Sequence, residues 1–128
     1  MSVLGAFGTQ LVRFFEQLVE SYPEERDIKM SLEAIRGAKL INPKLVMDLF
    51  YENVCKDLSE VIQRKDEEKL VDYARKKITT EFNDISPALG IFDKHWHTMT
   101  TENQNVIWQY LHVLCVLCQR ARDAKLPF

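Results

Sequence analysis

From Val106 to Cys118 the chain carries thirteen residues of which only Gln109 and His112 are clearly polar. A run that long, without Gly or Pro, is too extended for an ordinary strand, so it predicts a helix. A helix apolar nearly all round must be covered on several sides, so the rest of the chain has to pack around it. Flanking residues support the assignment over Thr101 to Arg122: Thr101 and Gln104 have the spacing of a capping box, while Arg120, Arg122 and Lys125 put positive charge at the end where the helix dipole favours it. The run stops short of the roughly 20 apolar residues that cross a bilayer, so no membrane span is expected.

Upstream, helical periodicity continues. Phe7, Leu11, Phe14, Leu18 and Tyr22 recur at spacings of three and four, widened by Phe15 and Val19, which predicts a helix from about Ala6 to Tyr22 with a broad aromatic face. Pro23 ends it. Glu24 and Glu25 then suit the start of a second helix, to about Leu40, with Ile28, Leu32, Ile35 and Ala38 inward. Asn42 followed by Pro43 gives a cap and a first-turn proline, and opens a third helix to about Arg64 lined by Val46, Leu49, Phe50, Val54, Leu58, Val61 and Ile62.

A charged elbow at Lys65 to Lys69 leads into a fourth helix, about Asp66 to Phe82, whose narrower stripe of Leu70, Ala74, Ile78 and Phe82 places it at the edge. Asn83, Asp84 and Ser86-Pro87 supply turn and cap signals before a short helix from Pro87 to about Trp96, with Ala88, Leu89, Ile91 and Phe92 inward. These signals predict an all-α fold: a compact single-domain bundle of five or six helices over residues 1–128, with a central hydrophobic C-terminal helix and a frayed tail from about 123. With 128 residues, 46% of them hydrophobic, one core can bury roughly two-thirds of the unfolded surface.

Function is less constrained. Three cysteines, Cys55, Cys115 and Cys118, sit in apolar settings and are too few for a disulfide framework, which implies a reducing, intracellular environment. The N-terminus lacks a basic residue ahead of a hydrophobic run, so a secretory signal is not expected, and Ser2 in place of Gly removes myristoylation. Cys115 and Cys118 form a C-x-x-C, but late in an apolar helix both the dipole and burial oppose a thiolate, and buried small hydrophobes are the expected reading. His95, His97, His112, Cys115 and Cys118 are the candidate metal ligands. No paired-turn zinc spacing joins them, so no metal and no cofactor is expected, and His112 is expected to be partly buried.

Catalytic signatures are missing from the sequence: no G-x-S-x-G, phosphate-binding loop, dinucleotide loop or H-E-x-x-H occurs, and a non-enzymatic protein is expected. Nucleic-acid binding is the alternative, resting on Arg75, Lys76, Lys77, Arg120, Arg122 and Lys125. The first three fan over about 200 degrees of a helix, without interleaved aromatics, and the net charge is -2. Partner binding is the leading expectation, with Phe92, His95, Trp96 and His97 beside a turn as candidate contacts and Leu126-Pro127-Phe128 as an apolar tip. The broad apolar faces also suggest self-association into a homo-oligomer.

Phe7, Gln10, Leu11 and Phe14, then Pro23 with Asp27-Ile28, Asn42-Pro43 with Leu45, and Ile107-Trp108-Gln109-Tyr110-Leu111 with Leu114, together resemble a family of small uncharacterised proteins of large nucleocytoplasmic DNA viruses of algae and protists. The shared positions are core and cap residues, spread over most of the chain. Its stretch from Asp66 to Asp84 is shorter than the family's pattern. The resemblance implies common fold and descent, and a protein of the infected host's cytoplasm or nucleus, or of the virion. It brings no catalytic residue with it.

Overall fold

Helix signals at the sequence level translate into helices throughout. The structure, a computed structural model, describes residues 2–80 and 86–123. In chain order it has α1 (Val3–Ser21), α2 (Arg26–Ile41), α3 (Pro43–Phe50), a π-helical turn (Tyr51–Cys55), α4 (Lys56–Arg64), α5 (Glu67–Thr80), α6 (Ser86–His95), a 3-10 turn (Trp96–Thr98) and α7 (Thr101–Asp123). Because α3, the π turn and α4 run on as one rod, the described residues form six helical rods and no strand. The Phe82 stripe position, the Asn83-Asp84 turn, Lys125 and the Leu126 to Phe128 tip lie outside the described residues.

Local chemistry sets the ends. Ser2 Oγ accepts from Gly5 N at 2.9 Å, so α1 begins at Val3, four residues before the aromatic stripe does. At α2 the expected acidic start shifts to Arg26: Glu25 occupies the cap position without a side-chain cap bond, its carboxylate being engaged by His95 and Lys94 instead. Asn42 serves two helices. Its N–H donates to Ala38 O and closes α2, while its Oδ1 accepts from Leu45 N and opens α3 ahead of Pro43. At α7 the cap is Thr100, not Thr101: Thr100 Oγ1 accepts from Asn103 N, and Gln104 Nε2 reaches Trp96 O at 2.7 Å rather than closing a capping box.

One core joins these rods. α1 contributes Phe7, Leu11, Phe14, Phe15 and Leu18 and packs on α7, α2 and α3, so its aromatic face is interior. Each side chain of that size stabilises the fold by roughly 1.5–3 kcal/mol relative to exposure. Along α7, Ile107, Trp108, Leu111, Leu114, Cys118 and Ala121 are buried, with α1 on one side and the π turn and α4 on another. The remaining side stays open at Val106 and Val113. α5 packs chiefly on α6 and also on α4, through Leu70, Val71 and Ala74.

The π turn solves a phasing problem. Val46, Phe50, Val54, Leu58 and Ile62 are all buried at an unbroken spacing of four, which drifts around a regular 3.6-residue helix. A wider turn at Tyr51–Cys55 takes up that drift, with Lys56 N donating to Tyr51 O. Its polar groups are satisfied laterally: Asn53 Nδ2 donates to Leu49 O at 2.8 Å, and Tyr73 Oη to Asn53 O at 2.7 Å. The same turn brings Cys55 against α7.

Candidate partner surface and thiol cluster

The aromatic segment expected to meet a partner is largely interior. Phe92 is buried and Trp96 is 0% exposed, so neither can contact a partner while the fold is closed. The reason is the 3-10 turn after α6, which swings the Trp96 ring inward, edge-on to Phe92 and to Trp108 at 6.0 and 5.2 Å between centroids. Trp96 Nε1 has no hydrogen-bond partner among the described residues. His95 is half-buried, stacked on Tyr22 at 4.4 Å with its Nε2 2.9 Å from Glu25 Oε1, and only His97 is exposed. The bond from His95, joined by Lys94, holds the Glu25 carboxyl below its usual range against a smaller opposing effect of burial. Burial pushes the Tyr22 phenol up, with Glu24 adding to it.

Cations proposed for nucleic acid are largely engaged within the protein. Arg75 Nε pairs with Asp93 at 3.0 Å, Lys77 lies over the Tyr73 ring, and Arg122 covers the Tyr51 ring at 3.6 Å while reaching Asp48 at 3.6 Å. Lys76 and Arg120 are exposed, and Lys125 is outside the described residues. The metal-ligand set does not assemble: His95 is on Glu25, and His112 is exposed rather than partly buried. Among the described residues no group of three or more His, Cys, Asp or Glu is placed to hold a metal ion.

Exposed apolar side chains gather instead at the α2–α3 corner. Leu40 is 86% exposed, Ile41 87% and Leu45 59%, all within six positions of chain. The inward line of α2 through Ile28, Leu32 and Ile35 continues to Lys39, whose stem lies across Gly8 of α1, with its Cε 3.1 Å from where a Cβ on Gly8 would sit. Leu40 and Ile41 fall about 140 and 240 degrees around the helix from Ile35 and so face outward. Two successive large aliphatics beyond the last inward position were the signal in the sequence, and periodicity read only for inward residues passes over them. A second, shallower apolar strip runs along α7 at Val106, Tyr110 and Val113, beside Gln10 of α1.

Thiols form the other concentration of chemistry. Cys55 from the π turn places its Sγ 3.0 Å from Cys115 Sγ, and Cys118, one helical turn on, is fully buried beside the Met47 carbonyl. Cys115 is partly buried. The neighbouring thiols and burial push the Cys55 thiol well above its ordinary value. Cys118 is drawn down by the hydrogen bond from Cys55 and by Arg122, against burial and Asp48. Spacing alone paired only Cys115 with Cys118, because nothing in the sequence shows the rotation that the π turn gives Cys55.

No protein-family model, curated protein or solved structure matches the chain.

Proposed function

We propose that this protein is a non-enzymatic interaction module that engages a protein partner through the α2–α3 corner. The observation that carries this reading is the exposure of Leu40, Ile41 and Leu45 at a corner where Asn42 caps both helices. Covering three such side chains is worth on the order of 5–8 kcal/mol before the cost of association is subtracted. Exposed aliphatics scattered singly are ordinary, whereas a local group of them marks a contact surface.

The resemblance to small proteins of large DNA viruses supports a role as a virion or virus-factory component, or as an adaptor to a host or viral protein. Self-association through the same corner is the homo-oligomeric form of the reading. A strictly monomeric mass at high concentration in sedimentation equilibrium removes that form. The reading is tested by affinity purification of the tagged protein from its native cell, split into nuclease-treated and untreated halves. Partners that persist after nuclease support a protein-interaction module; partners lost with nuclease put nucleic-acid binding in its place.

A further inference from the structure

Two sulfurs 3.0 Å apart and 60 residues apart in sequence, one partly buried and one buried, are more than a packing detail. We propose that Cys55 and Cys115 are a peroxide-oxidisable thiol pair that closes an intramolecular disulfide between the π turn and α7.

Access sets the order of events. Cys115 is only partly buried, while Cys55 and Cys118 are buried, so a small peroxide meets Cys115 first. Cys115 Sγ attacks one oxygen of hydrogen peroxide, the O–O bond breaks, and the departing hydroxide leaves as water with the thiol proton. Cys115 is then a sulfenic acid. Cys55 Sγ, already alongside, attacks that sulfur; the S–O bond breaks and the hydroxyl leaves with the Cys55 proton as a second water. Two thiols are oxidised by two electrons in all, and one peroxide is reduced to two waters.

The fold prepares this second step. Reaching a disulfide length requires the sulfurs to close by about 1 Å, within the reach of side-chain rotation. The π turn matters because it rotates Cys55 onto α7, and such turns recur at functional sites. Once closed, the bridge ties the rod that begins at the α2–α3 corner to the last helix.

The test uses the full chain, reduced, treated with a small excess of hydrogen peroxide, and mapped by mass spectrometry without reduction. The expected product is monomeric, lighter by two hydrogens, and contains a Cys55–Cys115 cross-linked peptide. Its Tm rises by about 10 °C and falls back on adding a dithiol reductant. Cys118→Ala still forms the bridge, whereas Cys55→Ala leaves Cys115 to proceed to the sulfinic acid. If Cys55→Ala does not fold, the wild-type peptide map decides alone. A map showing Cys115 bridged to Cys118, bridged between molecules, or over-oxidised while Cys55 still takes an alkylating reagent overturns the proposal.

Discussion

Trp96 and the Leu40-Ile41 pair sit in similar places along the chain, at the end of a helix and beside a turn, yet Trp96 is wholly buried and Leu40 and Ile41 are almost wholly exposed. Turn geometry makes the difference. After α6 a 3-10 turn folds the chain back and tucks Trp96 between Phe92 and Trp108. After α2 the doubly capping Asn42 redirects the chain at once into α3, and among the described residues no element covers Leu40 and Ile41. Residue type alone therefore misleads about which apolar groups are available, since the aromatic cluster that looks like a contact site is core and the plain aliphatics are surface.

The largest effect is expected at the buried end of this comparison. Trp96→Ala should cost about 3–5 kcal/mol in urea unfolding, as for other large-to-small changes at aromatic core positions. A loss near zero, accompanied by loss of association, would return Trp96 to the surface. Asn53→Ala tests the turn that phases the core: without its amide the Leu49 carbonyl loses its lateral donor, and about 1–3 kcal/mol should be lost. An unchanged midpoint would mean that the turn is held without it.

Smaller effects sharpen the contrast. Lys65 closes α4 at φ 53, a left-handed conformation that suits glycine, so Lys65→Gly should stabilise by up to about 1 kcal/mol. Destabilisation there would show that the lysine side chain contributes more than its backbone strain costs. Glu25, which anchors His95 beside Trp96, adds a pH dependence with a definite sign. Its folded carboxyl lies below the ordinary value of 4.5, so its contribution is complete above that pH and is lost as pH falls through the folded value. The stability gap between wild type and Glu25→Gln should accordingly narrow on acidification, and a gap that widens would contradict the pairing. At the exposed end, Leu40→Gln, Ile41→Gln and Leu45→Gln should each change stability by no more than about 0.5 kcal/mol.

Much of the fold was legible because its punctuation is chemical. Pro23, Asn42-Pro43 and Ser86-Pro87 mark breaks that the helices respect, and the Phe7, Leu11, Phe14, Leu18 line of α1 is buried as its period requires. Features that depend on a turn's rotation were not legible. The π turn follows from a drift across five buried residues and becomes visible only once their common neighbour is known. Cys55 meets Cys115 for that reason, Trp96 turns inward on a single 3-10 turn, and Thr100 takes the capping role from its neighbour Thr101.

The central claim is that the α2–α3 corner binds a protein partner. It is tested most directly by affinity capture from nuclease-treated lysate with two baits, the wild type and a variant carrying Leu40→Gln, Ile41→Gln and Leu45→Gln together, after circular dichroism and thermal melts confirm that both are folded. The account predicts a defined set of proteins retained by the wild type and lost from the folded variant. The same set captured equally by both baits would contradict it.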